Sequence, residues 1–376
     1  MYQNHQTHNP AVPSPGNSAL AERLVREVEG EVLFDRFSRG RYSTDASHYQ
    51  IEPIGVVVPK TADDITRVIE IAAQAGAPVL PRGAGTSQCG QTVGQAVVVD
   101  TTKYLNRILD FDAHACTAWV EPGLVLDRLN AFLEPHGLCF PVDVSTSSRA
   151  TIGGMTGNNS CGARSIRYGP MRVNVRAIDA VLMNGETMRF GELPDNRAGL
   201  SDSQQALVAG LLDLGHREAA EIKDRFPDLM RRVGGYNIDA LMPGGPVRGD
   251  WAKATVSQTP RHPNLAHLLV GSEGTLAFST RIHLDLQPLP HHKVLGICHF
   301  PTFHQAMDSA RHIVKLDPAA VELIDRTMID LARDIPLFRA TVDKFVTGEP
   351  DALLLVEFAG DDRDTQFRSL KHLGEL

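Results

Sequence analysis

From Ser18 onward, Leu20, Leu24, Val28 and Val32 recur every four positions, which places them on one face of a helix. Beyond Arg41 the pattern changes to short apolar runs separated by capped amphipathic stretches. Val56-Val57-Val58 reads as a buried strand. Thr61 is then placed to cap a helix whose apolar face is Ile65, Val68, Ile69 and Ala72, ending at Gly76. Val79-Leu80, Val97 to Val99, Thr117 to Val120, Ala177 to Met183 and Leu268 to Val270 are predicted as further strands, each bounded by Gly, Pro or Asn. Interleaved helices and strands of this kind predict an α+β or α/β protein with mixed sheets.

Three stretches depart from that alternation. Residues 1–17 are polar and rich in Pro, Asn and His, so they bury too little apolar surface to offset ordering. Residues 196–262 are polar and mostly helical before the Met-Pro-Gly-Gly-Pro-Val-Arg-Gly-Asp run, and read as an insertion. After Gln287-Pro288-Leu289-Pro290 a new unit is expected, with a boundary near residue 290. Its predicted order is strand Val294 to Phe300, helix Thr302 to Val314, strand Ala320 to Leu323, a helical passage, strand Leu353 to Phe358 and a helix from Asp362. A split βαβ layer needs one more strand than this, so the sequence reads as the first part of a longer protein.

Composition narrows the function. A chain of 376 residues is long enough for two or three well-buried domains. Net charge is -8 with 37 Lys+Arg and no long basic face, which argues against nucleic acid as a partner. Cys89, Cys116, Cys139, Cys161 and Cys298 are scattered and include no C-x-x-C pair, the pattern of reduced thiols rather than of zinc or an iron–sulfur cluster. No secretory leader and no run of 18 uncharged apolar residues occurs, so the expectation is a cytoplasmic chain without an integral membrane segment, compatible with a place on the inner-membrane surface.

The chemistry concentrates in small residues. Arg82-Gly83-Ala84-Gly85-Thr86-Ser87 follows the Val79-Leu80 strand, and successive small residues let backbone N–H groups converge into an anion-binding nest, with two hydroxyls added. This is neither a dinucleotide fingerprint, which needs Gly at Gln88, nor a Walker loop, which needs Gly-Lys-Ser/Thr. A tight surface turn is the plain alternative. A second run, Thr151-Ile152-Gly153-Gly154, Asn158 to Gly162 and Arg164 to Gly169, has so little bulk that its value lies in close backbone approach to something flat or charged. A third, Gly271-Ser272-Glu273-Gly274-Thr275-Leu276, has Ser too early for a nucleophile elbow.

These three segments, in this order and spacing, resemble the FAD-binding domain of the vanillyl-alcohol-oxidase, or PCMH-type, flavoprotein family. Ser43-Thr44-Asp45 with Tyr49, Pro59-Lys60-Thr61, Glu121-Pro122-Gly123 and Phe140-Pro141-Val142-Asp143 extend the likeness over residues 41–289. The Asn158-to-Gly162 text and the long insertion are similar to the D-lactate and D-2-hydroxyglutarate dehydrogenase branch, in particular bacterial members with a C-terminal iron–sulfur region. The resemblance implies an α+β fold: a leader and helix over 1–40, a two-subdomain FAD-binding domain over 41–289, and an incomplete ferredoxin-like substrate domain over 290–376.

It also implies roles. Arg82, Gly83, Ala84, Gly85, Thr86 and Ser87 would wrap the FAD pyrophosphate. Pro141 and Asp143 would lie along the cofactor, and Thr151, Gly153, Gly154, Asn159, Ser160, Gly162 and Ser165 would line the ribityl chain and flavin ring. Glu273 and Gly274 would close the far side, with Ile282 giving backbone contacts. Asp143, Asn158 and Glu273 could instead simply cap turns. Covalent branches of the family carry a His after the Gly pair of the first loop; Thr86 stands there, which implies dissociable FAD. The implied reaction takes a hydride from a D-2-hydroxy acid onto flavin N5 and leaves a 2-oxo acid, the electron acceptor being unassigned. The family's catalytic His, metal-binding His and carboxylate-binding Arg have no matching segment before Leu376, so no catalytic or metal-ligating residue is named, and an iron–sulfur cluster would belong only to a part beyond residue 376.

The remaining features weigh less. Arg164, Arg167, Arg172 and Arg176 read as a solvated basic face with a phosphate or carboxylate site as the alternative. His291, His292, His299 and His304 lack a metal-binding spacing, and Met171, Met183 and Met188 read as packing. Two rivals are a reductase of the same fold using NADPH and a non-catalytic FAD subunit of a glycolate-oxidase-like complex.

Overall fold

The helix expected from Ser18 forms over Ser18–Glu27 in the computed structural model, which describes residues 12–193, 199–227, 229, 231–242 and 263–376. Most of the polar leader and the Met-Pro-Gly-Gly-Pro run therefore lie outside the described residues. Asn17 caps this helix through the Leu20 N–H, and Leu20 and Leu24 are its buried face.

The first sheet contains β1 (Glu31–Leu33), β2 (Gly55–Val58), β3 (Val79–Arg82) and β4 (Val97–Asp100), in the order β1-β2-β4-β3. β2, β4 and β3 run parallel and β1 is antiparallel. Their apolar runs show no alternation because β2 and β4 are buried throughout. Between β2 and β3 runs the helix Ala62–Gln74. Thr61 and Asp64 form a reciprocal capping box, and the Asp64 carboxylate also accepts from the Glu29 and Lys60 N–H groups. Loss of the Thr61 hydroxyl should cost about 1 kcal/mol.

β5 (Ile108–Asp112), β6 (Thr117–Val120), β8 (Val175–Val181), β9 (Thr187–Phe190) and β10 (Phe278–Asp285) form an antiparallel sheet in the order β5-β6-β10-β8-β9, while β7 (Leu138–Cys139) pairs with β11 (Gln287–Pro288). β10 alternates buried and half-buried residues along its length, so that one face is buried and the other half-buried. The helix Leu126–Leu133 packs Leu126, Leu129 and Leu133 into the same core as Val120, Ile152, Met171, Ile178 and Ile282. A third sheet, β12 (His292–Phe300), β13 (Ala320–Asp325) and β14 (Ala352–Gly360), has the antiparallel order β12-β14-β13. The helices Phe303–Ile313 and Arg363–Glu375 bring Ala306, Ile313 and Leu373 against its Val356 and Phe358.

Three expectations need correction. Val32 does not continue the face of the first helix, which ends at Glu27, but lies in β1. Leu268 to Val270 is not a strand: Ala266–Leu269 is a helical turn, started by the Asn264 side chain accepting from the Ala266 N–H at 2.9 Å. Three apolar residues are too few to distinguish a strand from a buried helical turn, and the core that buries Ala266, Leu268 and Leu269 decides. Met183 is not packing either. β8 ends at Val181, Gly185 closes the following turn on the Leu182 carbonyl, and Met183 is exposed, whereas Met171 and Met188 are buried.

Candidate functional site

The first glycine-rich loop leaves the C-terminal end of β3. Arg82 holds it from behind: its guanidinium donates to the carbonyls of Tyr42, Thr44 and Thr92 and lies over the Tyr42 ring. Burial lowers its pKa, against the pull of Asp100. The Arg82 side chain is thus spent on carbonyls of its own chain, not held free to wrap a phosphate. The lead-in segment adds a bond from the Ala46 N–H to the Gly85 carbonyl, and Tyr49 packs where a Gly90 Cβ would stand.

What this leaves free is a row of donors. Among the described residues, the N–H groups of Gly83, Ala84, Gly85, Thr86 and Ser87 meet no protein acceptor. The loop is partly exposed, so the donors face an accessible space, and Gly85 takes φ +67°, which favours glycine. Five adjacent free donors fit the oxygens of a pyrophosphate.

The second run is built in the opposite sense. Its N–H groups are mostly consumed: Gly153 donates to Pro122 O, Gly154 to Thr151 Oγ1, Gly162 to Ser165 Oγ, and Arg164 to the Asp143 carboxylate. A Cβ on Gly162 would lie 1.8 Å from the Asp143 carbonyl oxygen, and one on Gly153 would lie 2.6 Å from Pro122 Cβ. Even on Gly83 of the first loop a Cβ would lie 2.3 Å from Thr151 Oγ1, and one on Gly274 would lie 2.5 Å from Pro81 Cγ. At these positions the small residues serve close packing within the protein. The close approach is of the three segments to one another.

The third segment joins this stack by backbone bonds, Gly271 N–H to Thr156 O and Glu273 N–H to Gly157 O, with Glu273 itself at φ +52°. Of the other residues singled out, Pro141, Asp143, Thr151, Gly154 and Ser160 lie in the same stack. Asn159 and Ser165 are fully buried and act within the protein. Ile282 is also fully buried, paired with Val120 and Ile178 in mid-sheet, and belongs to the core.

Gln91, passed over in the sequence, and Asn158 of the second run bridge the first and second runs. Gln91 Nε2 donates to Asn158 Oδ1, and Asn158 Nδ2 reaches Ser87 Oγ at 3.5 Å. The other amide atom, Gln91 Oε1, is buried without a partner. A ligand carrying both anionic oxygens and N–H or O–H donors, as FAD does, would satisfy this acceptor as well as the nest. No sequence signal marked Gln91, because its role depends on Asn158, 67 positions away.

The basic stretch is not a solvated face. Arg164 makes a two-pronged pair with Glu357 of β14 at 3.1 and 3.2 Å, and Arg167 donates to the carbonyls of Ala359 and Asp317. Arg172 pairs with Asp239 and Arg176 with Asp285. Beside the Arg164 pair opens a cleft of about 440 Å³, lined in part by Cys139, Asp143, Arg164, Tyr168, Lys293 and Glu357. Burial pushes Asp143 above the usual carboxylate range, opposed by the Arg164 N–H and charge, and also raises Tyr168 and Cys139. The hydrogen bond to Glu357 keeps Arg164 firmly protonated. Among the described residues no cluster of His, Cys, Asp and Glu has the arrangement of a metal site, and no helix is long and apolar enough to cross a membrane.

Comparison with known proteins agrees with this geometry. Residues 53–191 match the family described as FAD binding domain, and residues 289–376 match FAD linked oxidases, C-terminal domain. The chain is 31% identical over 365 residues to D-2-hydroxyglutarate dehydrogenase of Escherichia coli (strain K12), covering 93% of this chain and 34% of that protein. It is 29% identical over 322 residues to glycolate oxidase subunit GlcD of Bacillus subtilis (strain 168), covering 84% and 55%. Among solved structures, alkyldihydroxyacetonephosphate synthase superposes with a TM-score of 0.68 at 16% identity over 96% of this chain and 60% of that one, a likeness of fold. The chain spans about a third of the length of the D-2-hydroxyglutarate dehydrogenases it matches.

Proposed function

The chain belongs to the PCMH-type family of FAD-linked oxidases, and from that premise we propose that it holds FAD for the oxidation of a D-2-hydroxy acid of the D-lactate or D-2-hydroxyglutarate class to the 2-oxo acid. The observation that carries the reading is the row of N–H donors from Gly83 to Ser87, free among the described residues, at the end of β3 in the parallel part of the first sheet. Bound FAD supplies the two-electron acceptor for such a reaction.

The chain's own residues bind and orient. The nest takes the pyrophosphate, with Thr86 and Ser87 adding hydroxyl donors. Gln91 and Asn158 hold the first run against the second, and the Thr151-to-Ser165 strip, stiffened by its internal bonds, forms the wall for the ribityl chain and ring. Asp143 and Pro141 border the cleft toward β14. The base that takes the hydroxyl proton of the 2-hydroxy acid is assigned to none of the described residues.

Thr86 has no side-chain nitrogen with which to bond the flavin, so binding is non-covalent. Purified protein loaded with FAD and precipitated with acid should release all yellow colour to the supernatant. Colour retained in the pellet would contradict the assignment, and a chain that takes up no FAD at all would remove it.

A further inference from the structure

The segment 231–242 was marked in the sequence only as part of an insertion, yet its side chains reach both the second and third glycine-rich segments. Asp239 and Asn237 are buried, with exposures of 6% and 1%. The Asp239 carboxylate accepts from Arg172 at 2.8 Å and from Arg232 at 2.6 Å, and Asn237 Oδ1 accepts from the same two guanidiniums at 3.3 and 2.9 Å. Asn237 Nδ2 then donates to the carbonyls of Val270 and His267 at 2.8 and 3.1 Å, directly before the turn that begins at Gly271.

The same network holds the second segment. Asn159, fully buried and at φ +48°, accepts from the Arg172 N–H at 2.9 Å and donates to the Arg232 carbonyl at 3.4 Å. Two surface bonds repeat the pattern outside the core: Arg231 donates to the Gly162 carbonyl at 3.1 Å, and the Tyr236 hydroxyl bonds Thr275 Oγ1 at 2.7 Å. A Cβ on Gly271 would lie 3.2 Å from Asn159 Cβ and 3.6 Å from Asn237 Nδ2, so the three pieces meet at one point.

We propose that residues 231–242 are a clamp that fixes the separation of the Asn159-to-Gly162 and Gly271-to-Thr275 segments, and that Arg172, Arg232, Asn237 and Asp239 are positioning residues for the cofactor wall. This rests on the FAD-binding reading above. A non-glycine residue in the left-handed region persists where its surroundings over-determine it, and here the surroundings are the clamp. Burial of two guanidiniums on one carboxylate makes the network costly to leave half-satisfied, so it exists in one geometry or not at all. The insertion is thereby part of the binding architecture.

The test uses the full chain. Arg231→Ala combined with Tyr236→Phe removes only the two exposed bonds, so the FAD-free melting midpoint should stay within about 2 °C of the parent. Amide exchange in residues 158–165 and 270–276 of the FAD-free protein should nevertheless accelerate by about fivefold or more, with the 83–87 loop unchanged. The Kd for FAD, read by flavin fluorescence titration, should rise about tenfold. Asp239→Asn should give the same changes more strongly together with a lower melting midpoint, and if it fails to fold the surface pair still decides. Exchange in both windows and FAD affinity within about twofold of the parent would overturn the clamp. Faster exchange with unchanged affinity would overturn its role toward the cofactor. A parent chain that binds no FAD would instead remove the cofactor reading, and the exchange measurement would still judge the clamp.

Discussion

The loop Arg82 to Ser87 and the strip Thr151 to Ser165 are both runs of small residues, but the fold uses them in opposite ways. In the loop, five consecutive N–H groups meet no acceptor among the described residues, and the atoms nearest to a Cβ on Gly85 belong to the Arg82 guanidinium that braces the loop from behind. In the strip, the donors of Gly153, Gly154, Gly162 and Arg164 are already given to the protein, and side chains added at Gly153 or Gly162 would strike Pro122 or Asp143. Glycine in the first case leaves backbone available to a ligand. In the second it lets backbone pack on backbone. The strip is therefore the rigid wall and the loop the adhesive part of one site.

The largest effect that would break this contrast is expected at Gly162. Gly162→Val puts Cβ on the Asp143 carbonyl oxygen, an overlap that only backbone movement relieves, and should cost more than about 3 kcal/mol of stability. Thermal melting of the FAD-free protein reads this directly. A midpoint within about 2 °C of the parent would show that the strip is not internally packed as described.

Gly85→Val should do the reverse. Strain at φ +67° costs about 1–3 kcal/mol, so the protein still folds, but FAD affinity should fall by orders of magnitude as the branched side chain intrudes on the nest. Binding within about threefold of the parent, a difference under 1 kcal/mol, would dissociate the loop from the pyrophosphate.

A smaller effect is expected where the strip meets the third sheet. Arg164→Gln removes the pair with Glu357, whose side chains keep 37% and 20% exposure, so about 1 kcal/mol is at stake. Limited proteolysis should then cut the unit after residue 290 earlier than in the parent, while FAD continues to slow cleavage of residues 41–289. Equal cleavage rates would show that the units do not depend on this pair.

The smallest effect sharpens the comparison by pH. Burial raises Asp143 above its usual value, so its ionised form is disfavoured in the folded protein. Its contribution to stability is therefore full below the unfolded carboxylate pKa of about 4 and is lost as pH rises through the higher folded pKa. Asp143→Asn cannot titrate, so its melting midpoint relative to the parent should be more favourable near neutrality than at acid pH. The opposite slope would mean that the Arg164 contacts outweigh burial.

Much of this was legible in the sequence. Period-four spacing gave Leu20 and Leu24 their buried face, the Thr61 cap located its helix, and the unbroken valines of β2 and β4 marked a sheet covered on both sides. That the three glycine-rich segments belong to one site is what their resemblance to the PCMH-type family implies. Less accessible was what each small residue faces. Gly162 and Asp143 are neighbours only after the chain folds back, as are Gln91 and Asn158, or Arg164 and Glu357 across 193 positions.

The sequence by itself determined the local periods, caps and turns, because these depend on residues within a few positions of one another, and with them the mixed α+β architecture and the nest after β3. Only the tertiary structure decided that Leu268 lies in a helical turn, that the arginines after Gly162 are paired rather than solvated, and that part of an insertion braces the site. Each depends on a partner supplied from far along the chain: the core beneath Leu268, Glu357 and Asp239 for the arginines, and the two segments that residues 231–242 join. Such partners leave no period or spacing in the text, since a hydrogen bond across the fold constrains two positions without constraining what lies between them.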